Sequence, residues 1–144
     1  MNSLPGKTIL LALLLPLTAL VHATVDESHD FAMEAATPFV EQGFIVREDY
    51  WNGEVKSGQK LMITHQLFKG NEYAFWLGTA NENVVLDMKV FDEKGQPVQI
   101  NAKADKFSMS VRVNPPKTGT YRIVFDLKSK KEASVMWALA YGYR

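Results

Sequence analysis

The side chains that could do chemistry in this chain form a short set. Beyond an apolar N-terminal run there are two imidazoles, His29 and His65, and four acids close in sequence, Asp87, Asp92, Glu93 and Asp105. Several aromatic rings could be displayed on an outer face, Trp51, Trp76, Tyr141 and Tyr143 foremost. Cysteine is absent, which excludes thiolate nucleophiles, disulfides and thiolate metal sites together. A serine nucleophile needs a base in hydrogen-bond reach and is often displayed on a G-x-S-x-G elbow. No such elbow occurs, and Ser108 and Ser110 alternate with Phe107, Met109 and Val111 as the polar side of a strand. Two distant histidines without a thiolate do not make a tetrahedral zinc site either. His65 is expected to be a strand histidine held by ordinary hydrogen bonds, and no residue is assigned a catalytic role.

The acids suit a harder ion. Asp92, Glu93 and Asp105 are the candidate calcium ligands, since calcium is held by oxygens at about 2.3–2.6 Å. Asp87 precedes Asp92 by five residues on an extended stretch, roughly 16 Å at about 3.3 Å per residue, too far to share one ion. These side chains are expected to serve turns and a solvated face, leaving the chain without a cofactor. The rings offer different chemistry. Trp51, Trp76, Tyr141 and Tyr143 are candidate platforms for a sugar or a peptide, against a plainer reading in which Trp76 lies beneath a helix and the others fill the core.

The elements that must position these residues begin after a targeting segment. Lys7, the apolar run from Thr8 to Leu20, and Val21-His22-Ala23 read as a signal peptide of residues 1–23. That run is shorter than the roughly 20 apolar residues a spanning helix needs, and no cysteine follows it for lipid attachment. Cleavage leaves 121 residues with fifteen basic and sixteen acidic side chains, enough for one domain with its own core. So balanced a surface gives no electrostatic reason to expect nucleic acid or an anionic membrane as partner. A periplasmic or secreted setting is expected.

Residues 24–36 read as a flexible lead. Thr37-Pro38 looks like a helix start, and apolar residues from Phe39 to Trp51 at spacings of three and four predict a helix over 38–51. Gly43 lies on that stripe, as though to let the helix approach a sheet closely. From there the period changes to 2. Leu86, Met88 and Val90 alternate with Asp87 and Lys89, Asp92–Gly95 supplies a turn, and Val98 and Ile100 begin a return strand. Further alternation at 61–67, 73–77, 107–113, 121–127 and 135–143 gives about eight strands, which favours an antiparallel sandwich within a single domain of residues 37–144. Two strands carry small residues on their second face, Ala74 and Gly78 beside Trp76, and Ala138, Ala140 and Gly142. That face is expected to seat the helix.

Three segments carry a resemblance. L-F-K-G-N-E-Y-A-F at 67–75, V-V-L-D-M-K-V-F-D-E-K-G at 84–95 and N-P-P-K-T-G-T-Y-R-I-V at 114–124 resemble, in that order, bacterial pre-peptidase C-terminal (PPC) domains in their stand-alone form. The resemblance spans roughly residues 54–143 and implies a jelly-roll-like β-sandwich, in a family some of whose members bind calcium. Its members lie beside secreted enzymes or stand alone without activity, and are linked to polymer binding or secretion. No peptidase precedes the segments here.

The expected function is therefore a non-catalytic exported binding or accessory module of the bacterial envelope, with an envelope protein or a polysaccharide as partner. The alternatives are a small carboxylate-based hydrolase and a structural subunit that docks by a sheet edge. The leader reading has a direct check. N-terminal sequencing of protein recovered from the envelope should begin Thr24-Val25-Asp26, and a start at Met1 would show an unprocessed leader.

Overall fold

The computed structural model describes residues 24–144, so the expected leader at 1–23 lies outside the described residues. Thr24 has extended backbone, and its Oγ1 accepts the Glu27 N–H at 3.1 Å, which makes it the N-cap of helix α1, Val25–Glu41. Asp26 and Glu27 place negative charge at the positive end of the helix dipole. The helix thus begins well before the expected span of 38–51, and residues 24–36 are not a loose lead. Thr37 caps nothing, since its Oγ1 donates to the Met33 carbonyl at 3.2 Å, and Pro38 sits inside the last turns. The helix stops at Gly43, whose φ of 97° is the left-handed conformation glycine adopts without strain. Gly43 N–H bonds the Val40 carbonyl and Phe44 N–H bonds the Phe39 carbonyl, while the Phe39 and Phe44 rings meet edge to face at 5.4 Å. That closure, with its apolar contact, ends the helix and turns Phe44 back onto it. Among the described residues no helix is long and apolar enough to cross a membrane.

Nine strands follow among the described residues: β1 Ile45–Val46, β2 Trp51–Lys56, β3 Leu61–Leu67, β4 Tyr73–Gly78, β5 Val84–Phe91, β6 Asn101–Ala104, β7 Ser108–Val113, β8 Gly119–Ser129 and β9 Ser134–Tyr143. They form two antiparallel sheets. The larger runs β9-β4-β7-β6, with β1 and β2 both paired along the outer edge of β9, and the smaller runs β3-β8-β5. From β2 to β5 consecutive strands change sheet, and β2-β9-β4-β7 facing β3-β8-β5 is the order of a jelly roll. The hairpin expected over 84–100 is incomplete. Gly95, at φ 76°, closes the turn onto the Asp92 carbonyl, but the return keeps only one bridge, between Phe91 and Pro97, made by the bonds from Asp92 N–H to Gln96 and from Val98 N–H to Val90. Proline cannot donate to a ladder, and the chain crosses to the larger sheet, where β6 pairs with β7.

The inner faces follow the alternation. Phe75, Leu77, Phe125, Leu127 and Leu139 are fully buried between the sheets, and Leu86 packs against the same core as Phe125 and Trp137. At the corner before β8, the Tyr121 hydroxyl donates to the Lys117 carbonyl four residues upstream, fixing the P-P-K-T-G-T-Y turn.

A second apolar layer lies outside the larger sheet. Ala32 and Ala36 of α1 sit on Ala74, Trp76 and Ala140, with Phe44 closing one end. The small-residue face seats the helix as expected, although the helix is a different one. The close approach belongs not to Gly43, which has open space around it, but to two strand glycines. A Cβ on Gly78 would collide with the Ser28 carbonyl oxygen and lie 2.5 Å from Ala32 N, and one on Gly142 would lie 2.5 Å from the Ile45 carbonyl oxygen and 2.9 Å from the Trp76 ring. Ser28 is buried beside this contact, where its Oγ accepts the Ala80 N–H and donates to the Thr24 carbonyl. At the other end of the helix the Arg112 guanidinium lies 5.0 Å from the Phe39 ring and 5.2 Å from Phe44, and Arg144 lies 4.9 Å from Phe44. Glu72 pairs with both cations, at 3.0 Å and 3.5 Å.

Gly78→Ala should therefore destabilise the fold by about 1–3 kcal/mol, because backbone cannot move aside as a flexible side chain would. Urea unfolding measures this, and an unchanged midpoint would mean the helix can lift without cost.

Candidate functional site

Three of the four aromatic candidates converge at one end of the sandwich. Trp51 opens β2, Tyr141 and Tyr143 close β9, antiparallel pairing brings in the start of β4, and the facing sheet brings the end of β3. The Trp51 and Tyr141 rings lie 5.3 Å apart, and His65 of β3 meets Tyr141 edge-on at 4.6 Å and Trp51 at 5.9 Å. Tyr143 packs on Tyr73 at 6.1 Å. Trp76, the fourth, is elsewhere. It is fully buried under α1, with Phe39 edge-on at 5.4 Å, so it is no platform for a ligand. Ala74 and Gly78 on the same face of β4 explain why: a face of small residues admits a helix, and the one large ring there becomes its floor.

Polar groups thread through the ring cluster. The segment between β1 and β2 carries Arg47 and Asp49 to its edge. The Tyr141 hydroxyl donates to Asp49, with Oδ2 at 3.2 Å and Oδ1 at 3.5 Å, while the Arg47 backbone N–H donates to the Tyr141 carbonyl at 2.9 Å. Burial pushes the Tyr141 phenol above its ordinary value, and the Asp49 charge adds to the rise. The neighbouring Tyr141 phenol in turn raises Arg47. His65 Nδ1 lies 2.9 Å from the Gln66 carbonyl oxygen. A carbonyl can only accept, so Nδ1 carries the hydrogen and Nε2 of the neutral ring is left as an acceptor. Tyr73 is filled differently, its hydroxyl oxygen accepting the Phe68 N–H at 2.9 Å and the Asn71 amide at 3.3 Å. Its own proton remains to donate.

Around these groups opens a cavity of about 310 Å³, walled by Arg47, His65, Asn71, Tyr73, Tyr141 and Tyr143. Phe68, 53 % exposed, stands at its rim. The volume lies at the small end of ligand pockets, room for one ring and its substituents. Chemically the cavity offers flat apolar faces, one cation, the amides of Gln66 and Asn71, and hydroxyls able to give or take a hydrogen bond. It brings no serine to His65, since Ser108 and Ser110 lie on β7, on the helix side of the larger sheet.

The calcium candidates do not converge. Asp92 Oδ1 accepts the N–H groups of Lys94 and Gln96, both at 2.9 Å, which holds the turn after β5. Glu93 Oε1 accepts the Thr120 N–H at 2.8 Å and so ties that turn to β8. Asp105 accepts the Lys106 N–H at the separate β6–β7 turn. Among the described residues no three His, Asp or Glu side chains are grouped to hold a metal. The chain matches no family model and no curated protein.

Sequence reasoning missed Arg47, Asp49, Phe68 and Asn71. A signal for the first two was present: Arg47, Asp49 and Trp51 alternate at the period of the strand that follows, whereas the longer aromatic spacing suggested a helix.

Tyr141 makes the site's electrostatics measurable. Its raised value means the folded state holds the phenolic proton more tightly than the unfolded chain does. The contribution is present in full below the ordinary value of about 10 and is lost as pH rises through the folded value. Ultraviolet titration should show one late-ionising tyrosine that Tyr141→Phe removes and Asp49→Asn shifts downward; an unshifted Asp49→Asn titration would deny the coupling.

Proposed function

We propose that the chain is a non-catalytic, exported accessory module whose open aromatic end binds a ring of an envelope polysaccharide. The observation that carries this is the cavity at the ends of β3 and β9, where aromatic faces stand beside amides and hydroxyls with hydrogen-bonding capacity left over. A sugar presents the complementary surface, an apolar ring face edged by hydroxyls that both give and accept. An exposed Phe68 at the rim supports a ligand that continues outward, as a polymer does. The order of the three segments resembling pre-peptidase C-terminal domains supports an accessory role in the periplasm or outside the cell. Support for the hydrolase alternative is weaker, because Asp92 and Glu93 already spend oxygens on backbone N–H groups.

Purified peptidoglycan sacculi and an insoluble neutral glucan serve as probes in co-sedimentation. The chain should pellet with at least one of them, and Phe68→Ala and Tyr143→Ala should each weaken binding about tenfold, the loss of one ring contact. No polymer fragments should appear in the supernatant. If neither probe carries the protein down, or if both variants bind as well as the parent, the polysaccharide reading fails.

A further inference from the structure

A strand at the edge of a sheet exposes unpaired backbone groups, and proteins usually guard it with charge, proline, shortness or a covering segment. Three of the edges here are guarded in that way. β6 is four residues long with Lys103 within it. The outer side of β5 is met by Pro97 and Val98. The edge formed by β1 and β2 is broken between Val46 and Trp51 and carries Glu54 and Lys56. β3 has no charge, proline or covering segment, and only its Gln66 carbonyl is met, by Nδ1–H of the neighbouring His65. Its sequence, L-M-I-T-H-Q-L, holds seven residues without charge, proline or glycine, in unbroken one-to-one register with β8. Among the described residues no backbone group bonds to its other side. Its side chains are unfinished as well. Leu61 and Ile63 face the core yet are only half-buried, and Met62 on the outer face is 58 % exposed.

We propose that β3 pairs antiparallel with β3 of a second copy of this chain, about a two-fold axis through Thr64, joining two three-stranded sheets into one of six. A second copy fits better than a foreign strand because symmetric pairing sets the strand against itself, and a strand without charge meets no like-charge repulsion. Face parity restricts the register, since inward residues must stay opposite inward ones. The axis at Thr64 satisfies this and leaves all seven residues paired. It sets Leu61 opposite the partner subunit's Leu67 and Ile63 opposite the partner subunit's His65, which covers the half-buried interior residues. On the outer face Met62 meets the partner subunit's Gln66.

Sedimentation of the purified protein tests the association, and Thr64→Cys tests the axis. The chain has no other thiol, and antiparallel neighbours lie about 4.5–5.5 Å apart at Cα, within disulfide reach. The expected result is a dimer of the parent chain and a cross-linked species of twice the monomer mass for oxidised Thr64→Cys. Thr64→Lys, which opposes two like charges at the axis, should weaken association about fivefold while leaving the far-ultraviolet spectrum unchanged. A parent chain that stays monomeric at its highest soluble concentration overturns the proposal, whether or not the variants fold. So does a dimer that Thr64→Cys fails to cross-link, which would place the contact at another face.

Discussion

The near contact of helix backbone with strand backbone at Gly78 governs this architecture. With no Cβ in the way, the helix settles until the Ser28–Ala32 turn rests on β4, and the alanines on either side complete a flat seat. Packing at that distance turns a two-layer sandwich into three layers. It makes β4 and the end of β9 apolar on both faces, and every residue of β4 is buried. It also explains how Trp76 can stand on an outer face and be sealed from water. The smaller sheet has no such cover, and its outer face is correspondingly mixed, with Met62, Thr64, Arg122 and Lys89 open to solvent.

At the end where β4 begins and β9 finishes, the two faces of the larger sheet divide the remaining labour. Near the helix C-terminus, Arg112 and Arg144 share Glu72 and lie against the Phe39 and Phe44 rings, so charge and aromatic surface are used up in holding α1 to the sheet. At the mouth where β3 and β9 end, the Tyr141 hydroxyl bonds Asp49 beside an open cavity that Arg47 lines, and partners remain unfilled on His65 and Tyr73. The contrast between satisfied and unsatisfied groups separates the helix-holding face from the open one.

Most of the sandwich was legible because period-2 alternation is a direct image of burial. Phe75 and Leu77 inward, Trp76 outward, and Leu86 meeting Phe125 follow from it without further information. The helix lies ahead of its expected span because a threonine followed by proline at 37–38 and aromatics spaced by three and four imitate a helix start. The cap is the T-x-x-E pattern from Thr24, in a stretch whose polar, acidic character reads as loose chain. The left-handed stop at Gly43 decides the matter locally, and the stripe beyond it belongs to chain that has already turned back. Of the site, Trp51, Tyr141 and Tyr143 could be named from composition and parity. That they share a mouth with Arg47 and Asn71 could not, since the pairing of β9 with both β2 and β4 is a long-range fact that no local pattern carries.

One consequence follows from where the helix finds its seat. Half of that seat is β9, the final strand, which supplies Ala140 and Gly142, while the helix is the earliest element described. As the chain leaves the ribosome, the helix has nowhere to dock until the closing residues emerge, and β2 lacks its partner for the same reason. Nascent molecules cannot complete their core in stages. They must wait as open chain, and such waiting is the condition in which a polypeptide can still be threaded through a narrow pore.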